Sequence, residues 1–228
     1  MFRLLCLVVG YVFGLFQSAY ILGRLKGINI RTVGSGNAGS TNALRAFGTK
    51  AGLTVLFFDA LKTVLAIWVM RLTIGSVHPE LKSLIIFYTA VGVIFGHNFP
   101  FYLGFKGGKG MAATLGLIIA LSPAWYFFTV FPFFVVIFLT THYVSLGCMC
   151  AYVLFFAETV VFGHMGLLGE LTKAQLTELN IVAFFLMALA IFQHRKNVGR
   201  LLKGEESKTY LSKKGKEKYK AQKEAMEV

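Results

Sequence analysis

The chain has 228 residues, of which 56% are hydrophobic and 14% charged, and its formal net charge is +13. A soluble domain carries about 25% charged residues and breaks its apolar runs every turn or two. Here the runs are long enough to cross a bilayer, which takes roughly 20 helical residues, so the composition argues against a soluble globular fold.

In chain order, the apolar runs predict seven spans at about 3–23, 51–72, 83–101, 110–123, 124–141, 144–163 and 179–194. The first follows Arg3 and ends in small residues, as a signal peptide does. Equally apolar segments come after it, however, so it reads as a first membrane helix. The fourth is short and meets the fifth at Ser122-Pro123, and a five-span arrangement with a re-entrant pair is the alternative. The expected fold class is therefore an all-α, polytopic transmembrane helical bundle.

Charge asymmetry orients the bundle. Under the seven-span reading one side receives residues 24–50, 102–109, 142–143 and the tail from Arg195. That side holds eighteen of the 23 Lys and Arg, seven in the loops and eleven in the tail. The positive-inside rule places the N-terminus outside and the C-terminus in the cytoplasm. Residues 1–206 are expected to form the transmembrane domain, and 207–228 a basic cytoplasmic tail too polar to bury a core. Its lysines from Lys213 to Lys223 suit anionic lipid headgroups. Nucleic acid is not expected as a partner, since the run is tethered to a membrane and carries few aromatics. Cys6, Cys148 and Cys150 lie in apolar stretches and read as packing residues rather than disulfide or metal ligands.

Three polar motifs stand on the basic side. The first, Gly34 to Asn42 followed by Arg45, matches the spacing of a dinucleotide fingerprint at Gly34, Gly36 and Gly39. It lacks the preceding strand that such a fingerprint requires. Its glycines still free backbone N–H groups for an anion, Ser35, Asn37, Ser40, Thr41 and Asn42 add neutral donors, and Arg45 adds charge.

The second motif runs from Gly96-His97-Asn98 through Lys106-Gly107-Gly108-Lys109-Gly110. It is not a Walker A sequence: Leu103 stands where the first glycine belongs, and Gly110 replaces the hydroxyl that would hold Mg²⁺. A glycine-lysine turn that opens a helix is nonetheless an anion site. The third motif, His194-Arg195-Lys196-Asn197 to Glu206, begins where the last span leaves the membrane. On a continued helix His194, Asn197 and Leu201 would share one face.

Asp59 and Lys62 stand three residues apart inside the second span. Pairing makes two intramembrane charges tolerable, and they are expected to hold that span against the Arg45 loop. Asp59 is the sole aspartate of the chain, so the carboxylate array of two-metal phosphotransfer is missing, and no metal is expected. No G-x-S-x-G elbow is present either.

Together the three motifs, with Asp59 and Lys62, resemble the bacterial PlsY family of membrane glycerol-3-phosphate acyltransferases, from the first span to about Glu206. Ser40 stands where the family often has alanine. The resemblance implies seven spans with the motifs on the cytoplasmic face of the bacterial inner membrane. It implies transfer of an acyl group from acyl phosphate to glycerol 3-phosphate, giving 1-acyl-glycerol 3-phosphate and phosphate, the first step of phospholipid synthesis. It requires no cofactor and implies coupling to a soluble enzyme that forms acyl phosphate.

On this reading Ser35, Arg45, His194 and Asn197 are the expected catalytic residues. Substrate binding falls to Gly36, Asn37, Thr41, Asn42, His97, Lys106, Gly107, Gly108, Lys109, Gly110, Arg195 and Arg200. Asp59, Lys62 and Glu205 have structural roles. The rival classes are a transporter for a phosphorylated solute, which predicts paired repeats and broken helices at mid-membrane, and a non-catalytic lipid-binding scaffold.

Overall fold

The computed structural model describes residues 1–121 and 124–210 and is all-helical among them. The junction Ser122-Pro123 and the lysine-rich segment after Tyr210 lie outside the described residues. In chain order the helices are α1 (Phe2–Gly14), α2 (Ser18–Leu25), α3 (Ser40–Phe47), α4 (Thr49–Leu72), α5 (Ile74–Val77) and α6 (Lys82–Asn98). They continue with α7 (Met111–Ala120), α8 (Trp125–Thr141), α9 (Val144–His164), α10 (Lys173–Gln193) and α11 (Arg195–Leu202).

Five stretches are long and apolar enough to cross a membrane: Phe2–Leu25, Thr49–Val77, Pro79–Leu103, Val144–His164 and Lys173–Gln193. The fourth and fifth expected spans correspond to the shorter helices α7 and α8. The ten residues of α7 rise only about 15 Å, half the roughly 30 Å hydrocarbon core.

Helix α6 is the centre of the bundle. Nearly all of its residues are buried, and it packs against α1, α4, α7 and α10. Its contact with α1 is made backbone to backbone by two glycine pairs of i, i+4 spacing. A Cβ on Gly10 would lie 2.2 Å from the Thr89 carbonyl oxygen, and one on Gly14 2.2 Å from that of Val93. Reciprocally, a Cβ on Gly92 or Gly96 would lie 2.3 Å from the carbonyl oxygen of Leu7 or Tyr11. Such small-residue seams let membrane helices approach closely where no hydrophobic force drives them together.

The first span is broken between α1 and α2, and the freed backbone is satisfied by side chains. Gln17 Nε2 donates to the carbonyls of Gly14, Gly96 and His97, and Lys62 Nζ donates to that of Phe16 at 2.8 Å. Lys62 also pairs with Asp59 at 2.8 Å and lies 2.9 Å from His97 Nδ1, all three residues being buried. The pair expected to tie α4 to the Arg45 loop therefore ties α4 to the break in the first span and to α6. The i, i+3 spacing fixed the pair but carried no information about its third partner.

Candidate active site

The segments between spans that carry the basic motifs converge at one end of the bundle around a single cavity of about 380 Å³. Four helices begin there. Ser40 and Thr41 of α3, Met111 and Ala112 of α7, Val144 and Ser145 of α9, and Arg195 and Lys196 of α11 all line it with their first turns. Free N–H groups and the helix dipoles thus converge with the lysines and arginines, an arrangement that stabilises phosphate.

The first motif forms one wall. Gly34 and Gly36 adopt positive φ, and the loop closes on Asn42. Asn42 Oδ1 accepts from the Ser35 backbone N–H at 2.9 Å, and its Nδ2 donates to the carbonyls of Ile30 and Val33. Asn42 therefore shapes the loop from a buried position. Ser35 is exposed at the cavity, and its hydroxyl has no partner among the described residues. Gly36, Asn37 and Thr41 line the cavity beside it. Arg45 crosses to the segment that follows Glu206, donating to the Ser207 carbonyl at 3.1 Å and the Thr209 hydroxyl at 2.7 Å. Burial lowers the pKa of its guanidinium, against the attraction of Glu206.

The second motif lies flat on the end of α6. Gly107 and Gly108 donate backbone N–H groups to the carbonyls of Asn98 and His97, both at 3.0 Å. A Cβ at Gly108 would come within 2.0 Å of His97 Nε2, and one at Gly107 within 2.0 Å of the His97 carbonyl, so glycine is required at both. Gly110, with φ +84°, precedes the first turn of α7. Lys106 is exposed at the rim, whereas Lys109 turns inward and donates to Asn197 Oδ1. Burial brings Lys109 down to about 8.

The third motif is not a continued helix. The chain breaks at His194, between α10 and α11, and the break places both His194 and Asn197 in the cavity wall. Asn197 and Leu201 keep their i, i+4 relation within α11, but Leu201 is partly exposed and does not line the cavity. His194 Nδ1 lies 2.8 Å from the Ala190 carbonyl, which can only accept, so Nδ1 carries hydrogen and Nε2 is left with a lone pair. Asn197 has both amide ends engaged, Oδ1 by Lys109 and Nδ2 by Glu206 at 2.6 Å.

Glu206 is the hub of this wall. It also accepts from Ser145 Oγ at 2.8 Å and Arg200 Nε at 2.6 Å. Glu205, the carboxylate singled out from sequence, is exposed. Arg200 lines the cavity through this pairing, while the exposed Arg195 sits at the rim over the Phe192 ring. Every expected catalytic and binding residue borders the cavity, as does Asp59; Lys62 and Glu205 do not. Sequence reasoning missed Ser145 and Glu206. The signal for Ser145 was positional, since it follows the short turn already assigned to the basic side. Among the described residues no group of three or more His, Cys, Asp or Glu could hold a metal.

The family model described as glycerol-3-phosphate acyltransferase matches residues 4–204. The chain belongs to the glycerol-3-phosphate acyltransferase family. Its similarity to individual members spans nearly their whole length. A glycerol-3-phosphate acyltransferase of Thermoanaerobacter pseudethanolicus is 35% identical over 209 residues, covering 91% of this chain and 96% of the relative. One from Thermotoga petrophila is 39% identical over 208 residues, covering 90% and 96%. Among solved structures, the crystal structure of PlsY, an integral membrane glycerol 3-phosphate acyltransferase in its glycerol 3-phosphate form, superposes with a TM-score of 0.75. It is 32% identical and covers 91% of this chain and 96% of that one. Its lysophosphatidic acid form gives the same score at 31% identity. The resemblance read from the three motifs is thereby borne out at the level of the PlsY family.

Proposed function

We propose that this protein transfers an acyl group from acyl phosphate to the 1-hydroxyl of glycerol 3-phosphate. The products are 1-acyl-glycerol 3-phosphate and inorganic phosphate. The observation that carries the reading is the convergence of four helix N-termini with Arg45, Lys106, Lys109 and Arg200 on one cavity. Both substrates are phosphates, and the cavity offers cations to each.

Acyl phosphate is a mixed anhydride with a good leaving group, so most of the catalysis is holding two anions in attack geometry. The glycerol 1-oxygen forms a bond to the acyl carbon, the carbon–oxygen bond to phosphate breaks, and the hydroxyl proton leaves with the phosphate. His194 Nε2, the unprotonated ring nitrogen, accepts the hydrogen bond of the attacking hydroxyl. Ser35 and Arg45 bind one phosphate, and the 104–110 turn with Lys109 cradles the other. Asn197, held between Lys109 and Glu206, fixes the position of that ammonium rather than offering a free amide. No cofactor takes part. Ser35 has no base within hydrogen-bond reach among the described residues, which favours direct transfer over an acyl-serine intermediate.

The site faces the cytoplasm of the bacterial inner membrane on this reading, where a soluble partner enzyme supplies acyl phosphate. The charge bias supports that sidedness whether α7 and α8 are two short spans, giving seven, or a re-entrant pair, since either leaves the termini on opposite sides. The transporter reading loses support because the glycine motifs gather at one end of the bundle.

The test is acyl transfer by the purified protein in lipid to labelled glycerol 3-phosphate, with acyl phosphate, acyl-CoA and acyl carrier protein compared as donors. Lysophosphatidate from acyl phosphate alone is the expected result. Product from acyl-CoA or acyl carrier protein but not acyl phosphate overturns the donor assignment.

A further inference from the structure

The deep wall of the cavity contains hydrogen-bonding atoms that the protein does not use. Among the described residues, Asn98, the last residue of α6, is 2% exposed with no hydrogen-bond partner for its Oδ1 or its Nδ2. Asp59 is 1% exposed; its Oδ1 is taken by Lys62, while its Oδ2 has no partner among them. A buried polar atom left unsatisfied is costly, so these atoms point to a partner that the protein itself does not supply. Among the described residues six buried side-chain atoms are unpartnered, and only those of Asp59 and Asn98 belong to residues lining this cavity.

The chemistry of the wall says what kind of ligand that is. A carboxylate oxygen repels phosphate, while an amide presents one donor face and one acceptor face, which match a neutral hydroxyl. Of the cations that line the cavity, Lys106 is at the exposed rim and Arg45 and Lys109 are partly buried, while the buried Lys62 is taken up by Asp59 Oδ1 and does not line it. A small phosphorylated polyol that turned its phosphate toward the cations would turn its hydroxyls toward the deep wall. Asn197 cannot perform this reading, because both its amide ends are engaged.

We propose that Asn98 is a specificity-determining residue that recognises the secondary hydroxyl of glycerol 3-phosphate, beside Asp59 in the deep wall. This rests on the acyl-transfer reading above. Gly110 makes the position possible: a Cβ there would lie 3.1 Å from Asn98 Oδ1, crowding the amide from the loop side.

The experiment compares kcat/KM for glycerol 3-phosphate with that for 3-hydroxypropyl phosphate, which keeps the attacking primary hydroxyl and the phosphate but lacks the secondary hydroxyl. Wild-type protein is expected to prefer glycerol 3-phosphate by at least about tenfold, since a site built to bond a hydroxyl leaves polar groups unpaired without it. In Asn98→Ala and the isosteric Asn98→Asp that ratio is expected to fall several-fold. A role confined to folding would lower both rates together and leave the ratio alone. Wild-type protein that does not discriminate overturns the proposal whatever the variants do, and so does an unchanged ratio in a folded variant. Failure to acylate either alcohol defeats the acyl-transfer reading instead.

Discussion

The ammonium of Lys62 donates to Nδ1 of His97 at 2.9 Å, inside the bundle and 35 residues away in the chain. A lysine ammonium offers only donors, so His97 is held with Nδ1 accepting and its remaining hydrogen on Nε2, beside Gly108. The buried charge pair thereby sets the orientation of the second motif from behind. Removing Lys62 alone leaves the Asp59 carboxylate buried without its counter-charge. Lys62→Met is expected to destabilise the protein by about 3–5 kcal/mol, whereas the double variant Asp59→Asn, Lys62→Met recovers most of that loss. Thermal unfolding of Asp59→Asn, Lys62→Met and the double variant in lipid nanodiscs checks this. Additive losses in the double variant would contradict the pairing account.

Lys109 is expected to give the site a pH dependence. Burial lowers its pKa to about 8, so the ammonium is charged below that pH and loses its charge as pH climbs through it. The kcat/KM for glycerol 3-phosphate is expected to fall on an alkaline limb near 8 in the free enzyme. Lys109→Arg, with a guanidinium that stays charged, is expected to carry that limb to higher pH. A limb in the same place in the arginine variant assigns it to another group.

Two adjacent glutamates separate structure from proximity. Glu206→Gln removes the charge that holds Arg200 and leaves its hydrogen bonds to Ser145 and Asn197 weakened. A loss of about 1–3 kcal/mol in stability is expected, with a fall in activity through the displaced Asn197. Glu205→Gln, on an exposed side chain, is expected to stay within about 0.5 kcal/mol of wild type. Equal losses from the two variants in thermal unfolding would contradict the assignment of the hub.

The glycine seam between α1 and α6 predicts a packing defect rather than a chemical one. A Cβ at Gly92 meets the Leu7 carbonyl oxygen at 2.3 Å, and neither backbone can yield without parting the helices. Gly92→Ala is expected to lower the melting temperature by several degrees, while Gly199→Ala within α11, where no described residue lies within 4 Å, should not lower it. Unfolding monitored by intrinsic fluorescence distinguishes the two.

Much of this site was legible in the sequence because polar residues are scarce in an apolar chain. The motifs at 34–45, 96–110 and 194–206 stood out by contrast, and a membrane bundle has few places to put them. What stayed hidden depended on direction rather than on residue type. The choice between Glu205 and Glu206 is made by the turn after Leu202, where Gly204 takes φ +70° and aims one carboxylate inward. His97 as third partner of Asp59 and Lys62 requires α4 and α6 to be neighbours, which no local pattern encodes. Gly10, Gly14, Gly92 and Gly96 carry a small-residue spacing, yet 24 glycines in the chain dilute that signal. The seven-span count rested on apolar length, and α7 is too short to be decided that way.

In the proposed reaction the acyl group passes directly between two phosphate substrates in this cavity. The most direct measurement of that transfer is the stoichiometry of one turnover by the purified protein in lipid, with phosphate release and lysophosphatidate formation followed together. The account predicts one phosphate released per lysophosphatidate formed, release only when glycerol 3-phosphate is present, and loss of both in Arg45→Ala. Phosphate release from acyl phosphate without glycerol 3-phosphate, leaving an acyl group covalently on Ser35, would contradict it.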